Sequence, residues 1–125
     1  MILDTNALSA MADGDPDLEP VLRLASTVAL PVIALGEYRY GVRQSRNRAK
    51  YEGWLAALME SCRVLNVDEH TAERYAEVRA DLRRGGQPIP GNDVWLAALA
   101  RQHALPILSR DRHFDFVPGL RRISW

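Results

Sequence analysis

The chain has 125 residues, 47% of them hydrophobic and 26% charged, which fits one domain over residues 1–125 and leaves no room for two. Its 16 basic and 16 acidic residues cancel, which excludes a histone-like, purely electrostatic nucleic-acid binder. Cys62 is the only cysteine, so an intrachain disulfide and a disulfide-stapled secreted scaffold are excluded as well.

From the N-terminus onward, short apolar runs of strand length alternate with helical patterns. The first run, Met1 to Asp4, ends on a carboxylate. Because Asp4 breaks it, the run does not read as a signal peptide, and no stretch reaches the ~18 apolar residues of a membrane span. A cytoplasmic protein without membrane contact is expected. Four acids and no base lie between Asp13 and Glu19. Leu18, Val21, Leu22 and Ala25 then follow the spacing of a helical face, with Pro16 and Pro20 blurring its start. Val28 to Ile33 is a second apolar run, interrupted by Pro31.

The segment from Arg39 to Lys50 carries Arg39, Arg43, Arg46, Arg48 and Lys50 without a single acid, a candidate contact for an RNA backbone or simply a solvated face. Tyr51, Trp54, Leu55, Leu58 and Met59 predict a second helix. Arg63 to Val67 is a third apolar run. Ala72, Tyr75, Ala76 and Leu82 mark a third helical face, with Asp68 as its N-cap. Gly85-Gly86-Gln87-Pro88 reads as a loop between helices. Val94 to Ala100 is apolar on nearly every side, as in a buried helix. Pro106 to Ser109 and Arg121 to Ser124 complete the runs. Strands separated by helices require crossovers, which predicts an α/β fold with a mainly parallel sheet of four to five strands, its strand order open.

In open parallel sheets, ligands sit at the carboxyl ends of the strands. Asp4 ends the first run, Glu37 follows the second by four residues, Asp111 follows the fourth by two, and Asp93 stands where the buried helix begins. Each has a plain alternative. Asp4 could cap a helix beginning at Thr5 or Asn6; Glu37 and Asp93 could be first-turn acids; Asp111 and Asp115 could be turn residues. Together they are harder to dismiss, because gathered carboxylates repel one another unless a cation offsets their charge. Mg²⁺ or Mn²⁺ suits an all-oxygen set. Thr5, Asn6 and Ser109 could hydrogen-bond the carboxylates or a bound water. His70, His103 and His113 show no ligand spacing and read as surface or core residues.

Four segments carry a family resemblance. Leu3-Asp4-Thr5-Asn6-Ala7-Leu8 resembles the opening motif of PIN domains, and Glu37-Tyr38-Arg39-Tyr40-Gly41 the second. Asn92-Asp93-Val94-Trp95-Leu96-Ala97-Ala98-Leu99-Ala100 is similar to the third, and Leu108-Ser109-Arg110-Asp111-Arg112-His113-Phe114 to the fourth, with Asp115 as an optional fifth acid. Ser109 stands where Thr is more usual, and Asp115 lies between Phe114 and Phe116 rather than in the usual turn. Within the family the chain resembles VapC-type toxins. That resemblance implies an α/β/α sandwich, Mg²⁺- or Mn²⁺-dependent endoribonuclease activity, homodimerisation, and inhibition by a cognate antitoxin. The implied catalytic set is Asp4, Glu37, Asp93 and Asp111, with Asp4, Asp93, Asp111 and Asp115 as metal ligands.

Products with a 5′-phosphate and a 3′-hydroxyl are expected, since no histidine pair supplies a metal-free route to a cyclic phosphate. The competing reading is a catalytically inactive PIN-like module that binds RNA or protein. Other phosphoryl-transfer scaffolds fit less well: Asn6 occupies the place of a second Asp two residues after Asp4, Lys50 is the only lysine, and no Gly-rich Gly-Lys-Ser/Thr loop exists. An antitoxin would place a cation among the acids and lie along Leu8, Met11, Leu18, Val21 and Leu22, steered by the acidic run beside them.

Overall fold

A computed structural model describes residues 1–125. Five strands form one parallel sheet: β1 (Ile2–Leu3), β2 (Ala29–Pro31), β3 (Arg63–Leu65), β4 (Ile107–Leu108) and β5 (Arg122–Ile123), in the order β3-β2-β1-β4-β5. The N-terminal strand is therefore central, with Ile2 in register with Ala29 on one side and Ile107 on the other. All five apolar runs contain a strand. Successive side chains alternate between faces. Leu3, Leu30 and Leu108 enter one core with residues of α1 (Thr5–Ala12), α3 (Val32–Arg43) and α4 (Arg48–Ser61), beside the short α2 (Glu19–Leu24). Ile2, Ala29 and Ile107 enter the opposite core with α6 (Gly91–His103), which also packs on α5 (Glu69–Arg84). The result is the three-layer α/β/α sandwich. No helix is long and apolar enough to cross a membrane.

The structure departs from the sequence reading in four places. Val32 and Ile33 are not strand but the first turn of α3: β-branching suggests extension, yet Leu35, Tyr38 and Val42 give the segment a buried helical face. Glu37 thus sits beyond the first turn of that helix. A helix, α1, fills Thr5–Ala12, which the sequence suggests only as an alternative for Asp4. On α5 the buried stripe is Thr71, Val78 and Leu82, while Ala72 and Ala76 are exposed. Thr71 looks polar in sequence but is fully buried, because its hydroxyl completes a capping box with the N-cap Asp68 and also bonds Gln102. Finally, Leu8 and Leu18 of the expected antitoxin surface are core residues; Met11, Val21 and Leu22 are only partly buried.

Candidate metal centre

The carboxyl ends of β1 and β4 lie side by side, since Leu3 pairs with Leu108. Asp4 and Ser109 follow those residues directly and are 3% and 0% exposed. Asp4 is the N-cap of α1, its Oδ1 accepting from the Ala7 amide at 2.7 Å, so the capping alternative is realised. Capping does not exhaust the carboxylate. Burial raises its pKa above the usual range; the Ser109 hydroxyl and the Ala7 amide oppose that shift, and the charges of Asp111 and Asp93 add to it. The Ser109 hydroxyl also accepts from the Asp111 amide at 2.9 Å, so one residue fixes the turn that carries Asp111.

Asp93 lies in the first turn of α6, after Pro90 at the cap. Burial raises its pKa even though His113 Nε2 stands 2.8 Å from its Oδ2. That nitrogen is buried without an aligned hydrogen-bond partner and lies 4.0 Å from Asp111 Oδ2. Ligand atoms of Asp93, Asp111 and His113 fall within 4.8 Å of one another. Glu37 reaches the same place from α3 and contributes to the raised pKa of Asp93. Its two oxygens accept from Thr5 Oγ1 at 3.0 Å and from Asn92 Nδ2 at 2.8 Å.

The fold therefore gathers Asp93, Asp111 and His113 within ligand distance, with Asp4 and Glu37 close enough to influence them electrostatically and Thr5 and Ser109 as hydrogen-bond partners of the acids. Asn6 is exposed and makes no side-chain bond to them. Asp115 stands apart: Arg122 holds both its oxygens at 2.8 and 2.9 Å, and that bond lowers its pKa. An acid committed to a guanidinium fork is a poor ligand. Two participants escape the sequence reading. Asn92 positions Glu37 from 55 residues away, and His113, which reads as a surface or core residue, faces two of the acids. Neither pairing has a local spacing to betray it; the adjacency of Asn92 to Asp93 is the one signal the sequence offers.

No lysine or arginine bonds any of the four acids, and their oxygen donors fit a hard divalent cation. Of the basic segment, Arg48 pairs with Glu52 at 2.8 Å and Arg39 lies against Met59 Sδ. Lys50 stands over the Tyr51 ring, while Arg43 and Arg46 are exposed and free of ion pairs. Asp15 and Glu19 of the acidic run are already paired, with Arg110 and Arg23.

Comparison with known proteins places this geometry in a family. The family model described as PIN domain matches residues 1–120. The chain is 32% identical to Ribonuclease VapC5 of Mycobacterium tuberculosis over 125 residues, covering 98% of this chain and 91% of that protein. It is 30% identical to the tRNA(fMet)-specific endonuclease VapC of Salmonella typhimurium over 131 residues, covering 99% and 96%. A crystal structure of DNA-bound VapBC from Salmonella typhimurium superposes with a TM-score of 0.87 at 25% identity, over 99% of this chain and 96% of that one.

Proposed function

The chain belongs to the PIN-domain family, and on that footing we propose that it is a Mg²⁺- or Mn²⁺-dependent endoribonuclease and the toxin of a type II toxin–antitoxin pair. The observation that carries this reading is the convergence of Asp4, Glu37, Asp93 and Asp111, from four distant segments, on one end of the sheet with no Lys or Arg bonded to them. When bound, the divalent ion offsets charge at the scissile phosphate and lowers the pKa of water enough for hydrolysis near neutrality.

Asp4, Asp93 and Asp111 are the residues that would hold the ion. Ser109 fixes two of them at once, through its hydroxyl on Asp4 and on the Asp111 amide. Glu37, clamped by Thr5 and Asn92, is positioned to orient an attacking water and accept its proton. His113 adds a ring nitrogen to the site, 2.8 Å from Asp93 Oδ2 and 4.0 Å from Asp111 Oδ2. The N-terminus of α6 directs its free amides toward an anion at this edge. Asp115, with Arg122 and the Ser109 carbonyl that Arg122 also bonds, stiffens the β4–β5 rim.

RNA is the substrate of this reading, and the site works within a homodimer. The partner is a cognate antitoxin that inserts a cation among the acids. Its apolar segment lies along Met11, Leu22 and Leu58, which line a groove near the 89%-exposed Leu24. The test is cleavage of RNA by purified protein with Mg²⁺ or with EDTA, then with the co-expressed neighbouring gene product. Metal-dependent cleavage that the neighbour suppresses is expected; cleavage indifferent to EDTA overturns the metal reading, and a neighbour without effect overturns the toxin reading.

The cations at the end of α3, in the following turn and at the start of α4 give a separate expectation. Replacing Arg43, Arg46 and Arg48 with Ala weakens RNA binding and reduces the log–log salt slope by about 0.7–0.9 for each phosphate that is no longer neutralised. Arg48 shares its charge with Glu52, so the change comes mainly from Arg43 and Arg46. Titration of a fluorescent RNA from low to high salt measures it; an unchanged slope means the cluster faces away from the substrate and passes the role to Arg110 and Arg112.

A further inference from the structure

Asp111 leads into a 3₁₀ turn, Arg112–Phe116, whose second residue is His113. Phe114 anchors that turn: it is fully buried, and its ring lies against the His113 imidazole with 4.8 Å between centroids. The Nε2 atom of the imidazole is buried, although the side chain as a whole is 24% exposed. Asp93 Oδ2 stands 2.8 Å from that nitrogen, yet the N–H direction misses the oxygen and no other group bonds it. A buried polar atom left in this state is uncommon and needs a reason. The separations supply one. Six-coordinate ions with bonds of ~2.1 Å set cis ligand atoms about 3.0 Å apart and trans ones about 4.2 Å apart. Nε2 lies 2.8 Å from the Asp93 oxygen and 4.0 Å from Asp111 Oδ2, and ligand atoms of all three residues fall within 4.8 Å of one another. Asp93, which covers Nε2, is itself a ligand group, and Asp111 is 46% exposed, so an ion arriving from solvent meets the nitrogen from the carboxylate side.

We propose that His113 Nε2 is a metal ligand beside Asp93 and Asp111, and that it tunes the centre to Mn²⁺ and the later first-row metals over Mg²⁺. Transition ions accept an imidazole nitrogen readily, whereas Mg²⁺ keeps to oxygen donors and sheds its water reluctantly. Neither of the other two histidines can stand in for it. His70 is exposed beside Glu69, and His103 lines a groove with Cys62, Arg63 and Leu105, by the amino ends of β3 and β4 and away from the acids. The inference rests on the metal-dependent reading above and narrows its choice of ion.

The test is electron spin-echo spectroscopy of the Mn²⁺-loaded full chain in a nitrogen-free buffer. A directly bound imidazole modulates the Mn²⁺ echo at nitrogen nuclear frequencies; water and carboxylate do not. The parent is expected to show that modulation, and His113→Asp and His113→Gln to lose it while still binding Mn²⁺. His113→Gln adds no charge, so it keeps the test standing if a further carboxylate unfolds the metal-free chain. Mg²⁺ competition against bound Mn²⁺ gives the second readout: the preference for Mn²⁺ should fall about tenfold in His113→Asp, whose donors are all oxygen. A parent without nitrogen modulation, modulation that survives both substitutions, or a Mn²⁺/Mg²⁺ ratio unmoved by His113→Asp overturns the proposal. The two readings fail separately. Mn²⁺-supported cleavage without nitrogen modulation sinks this proposal alone, nitrogen modulation with no RNA cleaved sinks the nuclease reading alone, and Mn²⁺ that stays free in solution sinks both.

Discussion

Asp4→Asn, Asp93→Asn and Asp111→Asn are each expected to lower RNA cleavage about a thousandfold while leaving the fold intact. The three acids reach one end of the sheet from β1, α6 and the turn after β4, and each lost charge weakens the hold on the cation. A cation that stabilises charge at a phosphate is worth several kcal/mol, and ~4 kcal/mol is about a thousandfold in rate. Asn retains the shape of Asp and its value as an N-cap, so Asp4→Asn keeps the bond to the Ala7 amide that starts α1. Single-turnover cleavage with Mn²⁺, read beside circular dichroism, separates the two roles. Full activity in all three variants would falsify the metal-site assignment; loss of the helical signal in Asp4→Asn would leave capping as its only function.

Millimolar Mn²⁺ is expected to raise the melting temperature by about 10 °C, and Asp4→Asn to raise the metal-free value while shrinking that shift by half or more. A ligand at a hundred times its Kd, binding only the native state, stabilises by about 2.7 kcal/mol. For a domain of this size each kcal/mol corresponds to roughly 4 °C. The behaviour of the metal-free protein follows from its carboxyls. Burial raises the pKa of Asp4 and of Asp93, so the native chain holds these protons more tightly than the unfolded chain does. From the ordinary value of 3.8 up to the raised native values, the native state binds more protons, and stability falls as pH rises through that window. Asp4→Asn removes one of those titrations, which stabilises the metal-free protein at neutral pH and flattens its pH dependence. Melting curves across pH, with Mn²⁺ or EDTA, measure both effects. A Tm that ignores Mn²⁺, or an Asp4→Asn protein that melts lower than its parent at neutral pH, contradicts the arrangement.

Much of this molecule is legible in its sequence. The apolar runs locate all five strands, although β2 and β5 themselves carry only one leucine or isoleucine each and β5 is only half-buried. The rule that ligands gather at strand ends points to Asp4, directly beyond β1, and to Asp111, three residues beyond its neighbour β4. Glu37 emerges for a partly mistaken reason: the count runs from a strand that has already ended at Pro31, and the residue arrives instead from the second turn of α3. What stays hidden is pairing. The clamp of Thr5 and Asn92 on Glu37, the approach of His113 to Asp93 and the capture of Asp115 by Arg122 join residues whose separation carries no period. Such contacts are decided by which strand lies beside which, and the order β3-β2-β1-β4-β5 cannot be read from the chain.

That strand order has a consequence for how the protein is made. β1 leaves the ribosome before the other four strands, but its neighbour β4 follows about a hundred residues later, and Asp111 later still. Asp4 and Asp111 cannot meet on a half-made chain. At synthesis rates of about 5–20 residues per second, roughly 5–20 s pass between them. Sheets that pair distant segments also fold slowly, which lengthens the delay. Until Asp111 arrives, the set of acids proposed to hold the cation is incomplete, although α1 and α2 have long since left the ribosome.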